Sequence, residues 1–257
     1  SRSYRVEVVD PPQIEEHRWT IEPPSYTGFA VETIDNPTAA EAWEESQVTI
    51  AARTDRPARL VRLTWPGEAG TVALTGSEDG RSWTAKVVAR ESGGFAIEAE
   101  DDHGFRDRIS PSGRLEVRVD AAPVVALGEG AEAVGPGDRL VVPVAARDDL
   151  AVAGAELHYT IDRLEESDDR PAEGMVPLTI EGLGSAGARG IVELDLAPLG
   201  LSDGDQLSVR VRVVDNRPAP RGPNEGWSEI RPVAIVADVE RHQAERLDER
   251  LKPIRDA

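Results

Sequence analysis

Apolar and polar residues alternate with a period of two along most of this chain. Residues 47–53 put Val48, Ile50 and Ala52 on one side, with polar or small neighbours between them. The same pattern runs through residues 60–65, 71–75, 82–88, 95–99 and 114–120, where Leu115, Val117 and Val119 share a side. A period of two is the repeat of a strand with one buried face. One apolar and one polar side suits antiparallel sheets that are wet on one surface. A second set follows at 124–127, 139–146, 154–161, 175–181, 190–196, 206–214 and 228–237. Turn-forming groups at 135–138, 181–184 and 202–205 punctuate it. About seven strands in roughly 110 residues is the signature of a β-sandwich.

The fold class expected is all-β: two tandem immunoglobulin-like/cadherin-like β-sandwich domains and a short C-terminal helix. Three segments with the form of a final strand recur at 4–9, 115–119 and 231–236. Their regular spacing marks an internal repeat. Asp10-Pro11-Pro12 and Asp120-Ala121-Ala122-Pro123 read as short interdomain joints stiffened by proline. Short joints imply an elongated pair of restricted flexibility. Residues 1–10 therefore read as the terminal strand of a preceding domain. Residues 11–121 and 122–237 read as the two sandwiches, and 238–257 as the start of a helical region. In that last segment Asp238 is a capping residue, and Leu247, Leu251 and Ile254 follow at helical spacing. Pro253 is expected to kink or end the helix.

Composition narrows the function classes. The net charge is −19, from 48 acidic against 29 basic residues. That field repels phosphate backbones and anionic lipid, which argues against nucleic acid and against membrane surfaces. There is no cysteine, so disulfides, thiolate nucleophiles and cysteine-based zinc sites are excluded. No apolar run reaches the length of a membrane span, and no leader peptide is visible at Ser1.

Several short motifs carry a family resemblance. Ile21-Glu-Pro-Pro-Ser-Tyr-Thr-Gly28 contains a Pro-x-Tyr-Thr-Gly opening. Asp79-Gly80 with Trp83, Asp101-Asp-His-Gly104, and the run from Ala146 to Tyr159 accompany it. Together they resemble the Ig-like domains of a DUF4175-type family of large envelope proteins of unknown function from planctomycete-like bacteria. The resemblance covers nearly the whole chain. It implies an anchored N-terminal part, Ig-like modules and a long helical part, and it brings no catalytic residues.

Catalytic chemistry finds little support. His17, His103, His158 and His242 share no ligand-like spacing. No Gly-x-Ser-x-Gly elbow occurs, and the glycines at 182–187 precede a strand rather than a helix. The carboxylate pairs Asp101-Asp102, Asp148-Asp149, Glu165-Glu166 and Asp168-Asp169 are adjacent residues, whose side chains diverge on extended backbone. Solvated loops and Asx-type turns account for them.

One sharper expectation concerns calcium. In a tandem sandwich, Glu91 and Asp120 near one joint would approach Asp148, Asp149 and Asp215. Oxygen-rich clusters of that kind suit a hard cation. Among the tryptophans, Trp83 is expected in the core, and Trp43 and Trp227 packed against loops.

The reading favoured is a non-catalytic module, extracytoplasmic and anchored through regions outside this chain. It serves as a spacer and as a docking unit for a protein partner in the envelope. The alternative is a carbohydrate-binding or calcium-stiffened accessory module of a larger envelope protein. An enzyme ranks third. Nothing in the sequence sets the oligomeric state.

Overall fold

The computed structural model describes residues 10–164 and 172–255. The terminal strand expected at 4–9, and the pairs Glu165-Glu166 and Asp168-Asp169, lie outside the described residues. The chain is all-β apart from short 3-10 turns and one C-terminal helix, and it divides into two compact units, Ser1–Asp120 and Ala121–Ala257. Each is an immunoglobulin-like β-sandwich.

The first unit contains β1 (Ile14–Glu22), β2 (Glu32–Asp35), β3 (Ala39–Trp43), β4 (Ser46–Thr54), β5 (Leu60–Thr64), β6 (Thr71–Ala73), β7 (Thr75–Gly76), β8 (Ser82–Ala89), β9 (Gly93–Glu100) and β10 (Ser112–Arg118). One sheet runs β2-β1-β4-β8-β7 and the other β3-β10-β9-β5-β6. All pairs are antiparallel except β3 with β10. Alternation delivers Val48, Ile50 and Ala52 to the core, as expected, together with Trp83. Val119, by contrast, lies past the end of β10 and is 62% exposed.

β1 to β3 have no counterpart among the expected strands. In β1 the inward positions are His17, Trp19 and Ile21, so a buried histidine occupies an apolar slot. Trp19 packs 4.5 Å from Phe95 and 5.4 Å from Trp65, forming the aromatic centre of the core. The Pro24–Gly28 motif is the turn from β1 towards β2. Residues Ser25–Thr27 form a single 3-10 turn, and Gly28 closes it at φ 72°, where a side chain would be strained.

The second unit contains β11 (Val124–Leu127), β12 (Ala133–Val134), β13 (Arg139–Arg147), β14 (Val152–Asp162), β15 (Glu173–Leu178), β16 (Gly187–Asp195), β17 (Gln206–Asp215), β18 (Glu225–Trp227) and β19 (Arg231–Ile235). Its sheets run β11-β13-β16 and β12-β19-β17-β14-β15, with β18 paired to β17. The topology repeats the first unit: β11, β13 and β16 stand where β1, β4 and β8 do, and β12 runs parallel to β19 as β3 does to β10. Leu140, Val142, Leu157, Leu207, Val209, Val211 and Ile235 fill the core. Pro143 is tolerated in the central strand β13 because its nitrogen faces the side on which β11 has ended at Leu127.

A buried ion pair ties the end of β14 to the turn before β17. Arg163 and Asp205 approach to 3.8 Å with side chains 9% and 3% exposed. Asp205 also accepts the N–H groups of Ser202 and Leu164, while Arg163 donates to the carbonyls of Leu199 and Gly200. The helix α1 (Val239–Arg255) starts from Asp238, whose Oδ1 accepts the Arg241 N–H. It continues past Pro253 to Arg255. So close to a helix end, the one missing donor disturbs no further turn, and the expected stop at Pro253 is not taken.

Two outcomes follow from burial. Asp205→Ala removes the carboxylate that accepts two backbone N–H groups and strands a buried guanidinium. It should destabilise the second unit by about 3–5 kcal/mol, read as faster hydrogen exchange in 121–257 with 10–120 unchanged. Burial lowers the His17 imidazole below its ordinary 6.5. The folded first unit therefore holds His17 neutral, while the unfolded chain takes up a proton below that pH. Stability should fall as pH drops below 6.5, by at most about 1.4 kcal/mol per pH unit. A His17→Leu variant should lose that slope in acid denaturation of the first unit.

Candidate functional site

The outward face of the larger sheet in the second unit is a register-ordered grid of side chains. Inward residues of β14 such as Leu157 and Ile161 fill the core, so Glu156, His158 and Thr160 face out. On β17 the outward residues are Ser208, Arg210 and Arg212. Pairing then sets Met175, His158 and Arg210 side by side in one row, and Glu156, Arg212 and Trp227 in the next.

Trp227 is 40% exposed, which departs from the expected packing against a loop. β18 pairs on β17 and lays the indole over the sheet. The Arg210 guanidinium lies 4.1 Å from the ring centroid, and the His158 ring meets it edge-on at 4.9 Å. A cation over an indole face is an attractive arrangement. Trp43 does pack against a loop, stacking on Phe29 at 5.4 Å.

Charges below the indole are paired. Arg212 bonds Glu156 at 3.0 Å and also Glu225, while His158 Nε2 lies 3.3 Å from Glu156 Oε2. The Arg212 hydrogen bond, and then that of His158, hold the Glu156 carboxyl below the ordinary carboxylate range. Arg212 likewise lowers Glu225. Arg210, exposed and with its guanidinium on the indole, enters no ion pair among the described residues. Beside it lies a concavity of about 520 Å³ lined by His158, Thr160, Met175, Ser208, Arg210 and Ile230, among others. Met175 and Ile230 are 62% and 61% exposed.

The concavity brings a histidine, hydroxyls and Glu173 near one another, a set of residue types that hydrolytic chemistry also uses. The His158 hydrogen bond goes to Glu156. Among the described residues neither the Thr160 nor the Ser208 hydroxyl bonds to it, so the nucleophile–base contact required of a hydrolase is missing.

The calcium candidates fall as follows. In the first unit, Glu91 lies in the β8–β9 turn, beside Gly67, and Asp120 follows β10. In the second unit, Asp148 and Asp149 lie between β13 and β14, and Asp215 ends β17. Asp148 accepts the Leu150 N–H, and burial is the main cause raising its carboxyl above the ordinary range. Asp149 accepts the Ala121 N–H at 3.4 Å. Asp215 is committed to its own loop: one oxygen accepts the Arg217 and Asn224 N–H groups, and the other the Asn224 side chain. In the first unit Asp101 plays the same part, accepting the His103 and Phe105 N–H groups in the Asp-Asp-His-Gly turn.

No protein-family model matches the chain, and no curated protein does. Among solved structures it is similar to the fibronectin(III)-like modules of CbhA from Clostridium thermocellum, at 15% identity over 77% of this chain and 90% of that one, with TM-score 0.25. It is also similar to the human OSCAR ligand-binding domain, at 17% identity over 77% and 93%, with TM-score 0.24. A DUF4785 family protein from Legionella pneumophila shares 11% identity over 71% and 51%, with TM-score 0.26. Among the described residues, no helix is long and apolar enough to cross a membrane.

Arg210 and Arg212 were legible as outward positions of a strand. Their neighbours His158 and Glu156 on β14 were not, because register there joins residues more than fifty positions apart. Gly226 holds Trp227 in place: a Cβ there would lie 1.8 Å from the Pro123 carbonyl oxygen. Gly226→Ala should therefore displace β18 at a cost of about 1–3 kcal/mol. The expected readout is a shifted Trp227 indole N–H resonance, with the other tryptophan resonances and the far-ultraviolet dichroism retained.

Proposed function

We propose that this chain is a non-catalytic docking and spacer module of an extracytoplasmic envelope protein, and that it captures a protein partner on the Trp227 face. The observation that carries the reading is the exposed indole held by Arg210 and His158 beside an apolar-rimmed concavity. Tryptophan and arginine dominate the energetics of protein interfaces, and methionine is enriched there. Contacts that hold the indole before any partner arrives reduce the entropy lost on binding. The paired charges on Arg212, Glu156 and Glu225 form a polar rim, and Arg210, in no ion pair among the described residues, offers a donor for a carboxylate or carbonyl of the partner.

The carbohydrate-binding alternative needs a free aromatic face for the sugar ring. Arg210 lies over the indole, and Tyr159 packs against the core. Both features favour the protein reading. The envelope location is supported by the DUF4175-type motifs at 21–28, 79–83, 101–104 and 146–159.

A photo-crosslinking residue at Ile230, in the protein expressed in its own cells, tests this. The expected result is one discrete protein adduct. Trp227→Ala should weaken the partner's affinity about 30-fold and deplete the adduct, with the melting temperature unchanged. Glycan binding that depends on Trp227, or an adduct indifferent to Trp227→Ala, would overturn the proposal.

A further inference from the structure

The smaller sheet of the second unit presents a different kind of surface. Val124 and Ala126 of β11, Val141, Pro143 and Ala145 of β13, and Ile191 of β16 all face solvent. Val124 is 72% exposed, Ile191 64% and Val141 43%. Cross-strand pairing sets Pro143 beside Ile191 and Ala126 beside Ala145, so these side chains form one contiguous apolar area. A contiguous apolar area of this kind on a soluble domain marks an interaction surface.

The first unit supplies an internal control. The equivalent sheet β1-β4-β8 turns Arg18, Gln47, Arg53, Thr84 and Lys86 outward. The same chain thus builds the same sheet twice, once with a polar exterior and once with an apolar one. General surface composition does not explain the difference.

Charge identifies the occupant. Arg147 and Arg189 flank one end of the apolar area, and among the described residues neither enters an ion pair. Glu193 and Asp195 lie at the other end, where Arg139 bonds Glu193 at 3.2 Å. Glu181 stands directly opposite Arg189 across the edge of β16, so three arginines meet three acids and this face is locally neutral on a chain of net charge −19. Two copies can approach here without the repulsion that the rest of the surface imposes.

We propose that this face is a self-association surface, on which two copies stack sheet against sheet. The two-fold axis lies in the interface and runs across the strands through the Pro143–Ile191 row. Rotation about it reverses strand direction. It brings Arg189 of one copy over Glu193 of the other, twice by symmetry, and sets Arg147 over Arg139, whose guanidinium is already held by Glu193. Along β13 it sets Val141 over Ala145 of the second copy, large against small, which suits interdigitation. The interface is isologous, as closed dimers require. It shares no residue with the Trp227 face.

Sedimentation velocity of the 257-residue chain at physiological salt, where long-range repulsion is screened to about 8 Å, tests the proposal. A reversible dimer with a dissociation constant on the order of 10 µM is expected for a compact interface. Ile191→Glu should weaken it at least about 30-fold, and Arg189→Glu should weaken it as well. Joining Arg189→Glu with Glu193→Arg should restore association, a rescue that a folding defect cannot mimic. Trp227→Ala should leave it unchanged. A monomer across the micromolar range, a dimer indifferent to Ile191→Glu, or a charge swap without rescue would overturn the proposal.

Discussion

The backbone must find partners for every buried N–H and C=O, and in this molecule the opening segment of each unit does so by serving both sheets. β1 pairs antiparallel with β4, after which the chain crosses over and β3 runs parallel to β10. β11 and β12 repeat the manoeuvre against β13 and β19. One segment thereby closes both layers over a single core. The parallel pairings are short, five residues in one unit and two in the other, yet they decide which strands become edges. With the layers closed, alternation sends every second side chain outward, and the outward set is free to carry function.

The two units spend that freedom differently. In the first, the outward residues on the sheet that holds β5 and β9 are tied into charge pairs. Arg59, Arg62 and Arg106 all converge on Glu100, whose side chain is 10% exposed. In the second, one such ladder survives as Glu156, Arg212 and Glu225, but an indole lies across its end. That indole depends on close backbone approach at Gly226, where any side chain would collide with Pro123. A single glycine without a side chain thus places the largest aromatic of the second unit on its surface. The strong net negative charge belongs to the molecule as a whole, while Arg210 on one proposed contact face and Arg147 and Arg189 on the other enter no ion pair among the described residues. Local charge rather than net charge is what a partner meets at contact distance, because salt screens the remainder.

Most inner strands were legible in the linear pattern because periodicity is a local property. Residues 47–53, 60–65 and 82–88 alternate cleanly, and each is a strand within a residue or two of the expected bounds. β1 was missed because the histidine His17 stands in an apolar slot and shortens its apolar side, although the period of two is intact from His17 to Glu22. β2, β12 and β18 are two to four residues long, too short for any period to register. Val119 followed the pattern but fell beyond the last hydrogen-bonded pair, so the local signal overran the sheet.

The order of residues along the chain was enough to establish two β-sandwiches, the absence of cysteine chemistry, and the outward placement of Arg210, Arg212 and Glu156. These follow from composition and from a two-residue repeat, and neither depends on what lies across the sheet. The folded molecule alone decided that Met175, His158 and Arg210 form one row, that Trp227 rests on that row, and that Pro143 adjoins Ile191. Those neighbours are set by strand register, a long-range property fixed by the fit of the whole core. It also decided that Asp215 is spent on its own loop, since the return of Asn224 adds two donors to the one that Arg217 supplies locally.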